Sequence, residues 1–456
     1  MPDSYLQSLL CPLPEDIAHL KGAGHFEEAL ELIRRRLLDP ALPKMLRSRL
    51  ETESMFLKRL PKDYTLTKAA LAAEIREAVP SFRDEEVDEL VRDGRADFIF
   101  LNGEMLFHED LGASLLKAWP ALRARSEKLS AVPKSTLDPI IEKTKTGVAA
   151  HITIKGVTTI ADSAFVPGAL YRIHMPIPQK SMQQTAPESL TCTLPYTVQD
   201  GPQQCMYMEF KADKNEPITF EYSYTQRPHY VDPMDPNASG IVYPDARPVC
   251  AEDLAEHAPH ITFTPFLVSL ANGLKKNETD PVQIARTFYD YVTTQITYAY
   301  QRPYLLIENG AEYTAVNRHG DCGLQALLFI TLCRISGIPA RWQSGLCAEP
   351  GDVGSHDWAE FYTERFGWLP ADCSYGGGAW RNGAMHRWNF YFGNLDPWRM
   401  VANRDYYAAF TPAKKFPRFD PYDSQRGEIE TEERALAYGE FRTRYTMTAY
   451  EEEEIK

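Results

Sequence analysis

An apolar helix that opens on a cysteine constrains this chain more than any other stretch. In Asn317-Arg318-His319-Gly320-Asp321-Cys322-Gly323-Leu324 a polar turn leads into a run in which Leu324, Leu327, Leu328, Thr331, Leu332 and Ile335 recur at helical spacing, and Gly337 and Pro339 end it. Asp321 is of the residue type that caps helix starts. A side chain on a first helical turn meets the positive end of the helix dipole, which favours the thiolate, the nucleophilic form of cysteine. The unpaired N–H groups of that turn can also hold a developing oxyanion. Gly320 and Gly323 leave the backbone open to a substrate. Cys322 is therefore the candidate nucleophile and Gly323 a candidate oxyanion-site residue.

Two more polar residues fall at element boundaries. His356 lies 34 residues after Cys322 (356 − 322) and opens a strand in which His356, Trp358, Glu360 and Tyr362 share one face and Asp357, Ala359 and Phe361 the other. Asp372 lies 16 residues further (372 − 356), after a turn and second strand in Phe366-Gly367-Trp368-Leu369-Pro370. Antiparallel strands can set a His beside an Asp, and the Asp then fixes the imidazole tautomer. Taken singly, each residue has a plainer reading: a small buried hydrophobe for the Cys, a core or surface strand residue for the His, a turn residue for the Asp. The order nucleophile, base, orienter is what favours chemistry.

The ordered set resembles the transglutaminase-like superfamily of papain-like thiol enzymes. The matching features are Gly320-Asp321-Cys322-Gly323, the Gly337-Ile338-Pro339-Ala340-Arg341 turn, His356-Asp357-Trp358-Ala359-Glu360, and Gly367-Trp368 followed by Asp372. Further on, Asn389-Phe390-Tyr391-Phe392-Gly393-Asn394-Leu395-Asp396 resembles the strand that closes bacterial members. The resemblance covers about residues 280–410 and implies Cys322 as nucleophile, His356 as base and Asp372 as orienting acid. It also implies an aromatic or Gln side chain ahead of the Cys as an aid to the oxyanion site, for which Tyr300 and Gln301 are candidates, with core packing the plainer role of Tyr300. Trp358 is a further candidate substrate-site residue.

The expected fold class is α+β and multidomain, since 456 residues suffice for about three domains. Residues 1–130 read as a helical domain, with helices around His25–Leu38, Thr67–Arg76 and Asp84–Val91. It ends in a hairpin at Phe98-Ile99-Phe100-Leu101-Asn102-Gly103-Glu104-Met105-Leu106-Phe107. Helices followed by a hairpin suggest a winged-helix module, but the acidic surroundings favour a structural or docking role over DNA binding. Residues 131–230 read as an antiparallel β-sandwich, in which His151, His174 and His229 are strand or surface residues rather than metal ligands. Residues 231–260 read as a linker, 261–412 as a papain-like, transglutaminase-like α+β catalytic domain, and 413–456 as a C-terminal extension. Alternation of Phe441, Thr443, Tyr445, Met447 and Ala449 with Arg442, Arg444, Thr446 and Thr448 is strand periodicity. Residues 438–450 are expected to return to the sandwich and complete it. Tyr375-Gly376-Gly377-Gly378-Ala379-Trp380 reads as either a mobile loop or a plain connector, and Asp420 to Glu433 as irregular.

The net charge of −14 argues against nucleic-acid and anionic-membrane partners. Eight scattered cysteines with no Cys-x-x-Cys pair, and an N-terminus without a basic region and apolar run, point to a cytoplasmic protein with reduced thiols. The expected chemistry is acyl transfer on a peptide or isopeptide-like amide through a Cys322 thioester, by a protein or peptide substrate and without a cofactor. Hydrolysis is preferred over amine transfer. The alternative is a catalytically silent fold that acts as a protein-binding module. A zinc site drawn from His319, Cys322, Cys347, His356, Cys373 and His386 matches no zinc spacing, and no acidic calcium loop occurs.

Overall fold

The computed structural model describes residues 4–126, 137–240, 247–299, 302, 304–418, 422–437 and 439–455. It is α+β, with antiparallel sheets and a short parallel pair between Thr297–Tyr298 and His319–Gly320.

Helices dominate the first part. Phe26–Leu37 forms because Phe26, Ala29 and Ile33 fall on one face, which is buried. The 20-residue helix Lys44–Asp63 buries Leu50, Leu57 and Leu60 and also the ion pair Arg49–Glu53, at 2.7 Å. Arg49 reaches on to Glu308 at 2.8 Å, so this guanidinium joins the first helices to the later part of the chain. Lys68–Ala78 is capped by Thr67, whose hydroxyl accepts from the Ala70 N–H. Phe98–Leu101 and Glu104–His108 pair around Asn102-Gly103, both at positive φ (50° and 84°) as a two-residue hairpin turn requires. Tyr64–Leu66 adds a third strand.

Two four-stranded sheets follow. Phe441–Glu454 pairs along Val148–Ile160, which pairs with Ile218–Gln226 and then Ser189–Cys192. Glu428–Glu430, Leu170–Pro176, Cys205–Lys211 and Thr197–Gln199 make the second sheet. Ile152, Ile154, Ile173, Met206, Met208 and Phe220 fill the space between them. His151 accepts or donates at the Thr225 hydroxyl (2.9 Å), and the Nε2–H of buried His174 donates to the Pro412 carbonyl (2.8 Å).

The sheet that matters for the site has the order Gly367–Ala371, Asp352–Thr363, Ala340–Glu349, Arg399–Asn403. Cys322–Ile335 lies on it and is buried from Gly323 through Arg334. A helix apolar on all sides belongs at the centre of a core, and helices Pro265–Lys275, Pro281–Gln295 and Gly310–Asn317 surround it. The same sheet serves both cores: Trp342 and Phe361 belong to the helical one, Leu346, Ala348 and Met400 to that of the sandwich.

Three local expectations are corrected: within the stretch Asp420 to Glu433, expected to be irregular, Glu428–Glu430 is a strand paired with Leu170–Pro176. Tyr375–Trp380 is neither a loop nor a connector but part of the helix Cys373–Arg381. Asp372 caps that helix by accepting from the Tyr375 N–H at 2.9 Å. Gly376 is there for close packing, since a Cβ would stand 1.8 Å from the Tyr289 hydroxyl. Residues 389–396 are not the closing strand: Met385–Phe390 is helical, and the strand beside Ala340–Glu349 is Arg399–Asn403.

The pairing of Phe441–Glu454 with Val148–Ile160 carries four half-buried apolar side chains, Phe441, Tyr445, Met447 and Tyr450, against the sandwich. At about 1 kcal/mol each for partial burial, their loss is worth on the order of 4 kcal/mol. Removing residues 438–456 is expected to lower the melting temperature and to promote association through the exposed edge of Val148–Ile160. A thermal melt on the truncated chain checks this, and an unchanged midpoint would contradict it.

Candidate active site

The site is assembled from the start of Cys322–Ile335, the strand Asp352–Thr363, the helix start at Asp372 and part of the C-terminal extension. Asp321 caps the first helix, its Oδ1 accepting from the Leu324 N–H at 3.1 Å. The same oxygen accepts from the Tyr304 hydroxyl at 2.5 Å. Burial pushes the Asp321 carboxyl up to about 6 against these hydrogen bonds.

Cys322 is half-buried, and its thiol donates to Asp357 Oδ2 at 3.3 Å. Burial raises its pKa well above the ordinary thiol value, and the carboxylates of Asp357 and Asp321 add to the rise by opposing a second negative charge. The helix start alone favours thiolate, so the expected dipole effect is overruled here. The space over Gly323 is filled rather than open: a Cβ there would stand 2.2 Å from the Tyr304 hydroxyl and 2.7 Å from the Trp342 ring.

His356 and Asp372 meet. His356 Nε2 is 2.8 Å from Asp372 Oδ2, and both side chains are buried. The Arg399 Nε–H donates to the same oxygen at 3.2 Å, and the Arg399 guanidinium lies 3.8 Å from the centre of the Tyr375 ring. Burial acts to raise the Asp372 pKa, but the His356 ring and the Arg399 guanidinium outweigh it and hold the carboxyl below its usual range. Tyr375 packs edge-on against His356 at 4.9 Å.

Cys322 meets the neighbour of His356 instead of His356. Helix Cys322–Ile335 packs on the strand face that carries Asp357, Ala359 and Phe361: Phe329 meets Phe361 edge-on at 5.8 Å, and Trp342 sits opposite Ala359 in the register. His356 and Trp358 belong to the other face. Trp358 is fully buried and spends its indole N–H on Gln343 Oε1 at 2.7 Å, which makes it a core residue. Tyr300 and Gln301 lie outside the described residues.

Four contributors escaped the sequence: Asp357, Tyr304, Arg399 and Gln425. Asp357 had a signal, because Ala359 and Phe361 make its face the apolar one that an apolar helix should cover. Gln425 had none, being over a hundred residues from Cys322 in an irregular stretch. Its amide donates to Asp357 Oδ1 at 2.6 Å and to the His356 carbonyl at 3.0 Å. Among the described residues no group of His, Cys, Asp and Glu is arranged to hold a metal ion.

Comparison with known proteins adds a family. The family model of the transglutaminase-like superfamily matches residues 268–373, the segment that holds Cys322, His356 and Asp372. No curated protein matches the sequence. Among solved structures, one described as a "Putative Cysteine Protease" from Cytophaga hutchinsonii is 12% identical, with 66% of this chain and 91% of that chain covered and a TM-score of 0.43. The periplasmic domain of TgpA from Pseudomonas aeruginosa is 14% identical over 54% of this chain and 94% of that chain, with a TM-score of 0.29.

The His356–Asp372 pair has a pH signature. A carboxyl held low in the folded state contributes stability that is present above its unfolded value, about 3.9, and lost as pH falls through the folded value. Asp372→Asn leaves buried Arg399 short of a countercharge and is expected to cost about 3–5 kcal/mol at pH 7. The gap to wild type should narrow on going from pH 7 to below pH 4. Denaturant unfolding at both ends checks it; a gap that stays constant would mean the pair carries no charge.

Proposed function

We propose that this protein catalyses thiol-dependent acyl transfer at an amide of a peptide or protein substrate, with water as the preferred second nucleophile. The observation that carries this reading is the buried His356–Asp372 pair at 2.8 Å, one residue along the strand from the carboxylate that touches the Cys322 thiol. With Nε2 committed to Asp372, Nδ1 is the ring nitrogen left to take a proton. His356 accepts the S–H proton once the thiol leaves Asp357 and the two side chains, which rest on opposite faces of the strand Asp352–Thr363, are brought together. The sulfur adds to the amide carbonyl carbon, and the tetrahedral intermediate collapses to a thioester as the amine departs with the proton from His356. Water, losing a proton to His356, then attacks the thioester, and carboxylic acid and thiol are released. Of the helix-start N–H groups, that of Leu324 is taken by the Asp321 cap; a donor left free for the oxyanion is worth about 3 kcal/mol in known enzymes. Free, scattered cysteines fit a reducing, cytoplasmic setting.

A second reading is favoured by one observation: the thiol is held on Asp357 and is hard to ionise. In that case the fold is catalytically silent, and the helical and sandwich parts act by binding a protein partner.

Product analysis with an amide-bearing peptide, with and without excess primary amine, separates these readings. The expected outcome is a carboxylic acid product, lost by roughly 10³-fold or more in Cys322→Ala. Dominant amine adducts would make the protein a transferase. No product under either condition, together with no selective labelling of Cys322, would leave the binding module.

A further inference from the structure

The C-terminal extension reaches the thiol. Tyr422 packs on Tyr304 at 5.4 Å between ring centres, and Tyr304 overhangs Gly323 and bonds Asp321. Asp423, Ser424 and Gln425 are buried although the segment has no regular structure. The strand Phe441–Glu454 fixes it from behind, where the Tyr445 hydroxyl donates to the Gln425 carbonyl at 3.0 Å and the Thr443 hydroxyl to that of Arg426 at 2.8 Å.

The amide of Gln425 is aimed at a single carboxylate. Both of its partners, Asp357 Oδ1 and the His356 carbonyl, are acceptors, so the NH2 group and not the oxygen must face them. The other Asp357 oxygen accepts from the Cys322 thiol. Thiol and amide thus hold opposite oxygens of one carboxylate, and the amide is tied in turn to the backbone of the residue beside it.

We propose that Gln425 is a positioning residue for Cys322: its amide clamps the Asp357 carboxylate against the thiol and keeps the resting thiol protonated. The clamp acts through Asp357 and touches neither sulfur nor substrate. The groups that face the thiol are Asp321 from the helix cap, Asp357 from the strand and Tyr304 from the turn Tyr304–Leu306, with Tyr422 of the extension behind Tyr304. Asp357 and Asp321 both oppose ionisation of the thiol, and of these only Asp357 is held by the extension. The inference rests on Cys322 being the reactive thiol of the proposed reaction.

The test is site-resolved iodoacetamide alkylation of Cys322 across pH in the full chain, comparing wild type, Gln425→Met, Asp357→Asn and the double variant. Methionine keeps the length of the side chain and removes the donor. Gln425→Met is expected to lower the pH midpoint of alkylation and to raise the rate at pH 7 roughly tenfold, because a released carboxylate turns away from the thiol. Asp357→Asn should lower the midpoint at least as far, and the double variant should match Asp357→Asn alone, as two groups acting through one point require. A midpoint that rises in Gln425→Met, or stays put while the rate climbs equally at every pH, would overturn the proposal; the second outcome would make Gln425 a steric cover. Should Gln425→Met fail to fold, Asp357→Asn still decides: an unmoved midpoint there removes the carboxylate from the argument. Amide turnover plays no part in the readout, so failure of the proposed reaction and failure of the clamp are seen separately.

Discussion

One buried carboxylate, Asp372, ties three elements together. It caps the helix Cys373–Arg381 through the Tyr375 N–H, accepts from His356 on the strand Asp352–Thr363, and pairs with Arg399 on the strand Arg399–Asn403. A carboxylate withdrawn from water is tolerated only when its lone pairs are used and a positive charge stands beside it. Here two partners come from different strands of the sheet and the third from the helix, so the requirement to satisfy Asp372 fixes the strand ends relative to the helix. Arg399 is equally dependent, being buried between Asp372 and Asp396 at 3.2 and 3.3 Å. The placement of His356 follows from this network.

Around Cys322 two electrostatic effects oppose each other, and their sizes decide the outcome. A helix N-terminus offers a negative charge typically 0.3–1 kcal/mol, or about 2 kcal/mol when partly buried. Burial and the neighbouring carboxylates of Asp357 and Asp321 all act the other way, and each unit by which they raise a pKa is about 1.4 kcal/mol. The second effect wins, which is why the thiol rests protonated on Asp357 despite its place on the first turn.

Much of this was legible from local patterns. The run from Leu324 to Ile335 announces a buried helix, Asn102-Gly103 announces its hairpin, and the alternation from Phe441 onward announces a strand, which the structure pairs with Val148–Ile160. His356 and Asp372 were legible as a set because antiparallel neighbours bring residues 16 apart together. Patterns failed where a residue type has two uses. Three consecutive glycines signal freedom, yet Gly376 serves helix packing against Tyr289. His356 and Asp357 are adjacent, and a family likeness drew attention to the first, whereas the apolar company of the second decides which one meets the helix. Gln425 was beyond reach, since nothing local marks an irregular segment that folds back 68 residues to a strand.

The fold-back also has a direction in time. Gln425 follows Cys322 by 103 residues (425 − 322), and the strand that backs it comes later still. A ribosome adding about 5–20 residues per second makes the thiol roughly 5–20 s before the amide that clamps Asp357. During that interval the nascent chain carries Cys322 without the Gln425 amide, so under the proposed clamp this is when the thiol is most open to oxidants and electrophiles in its surroundings.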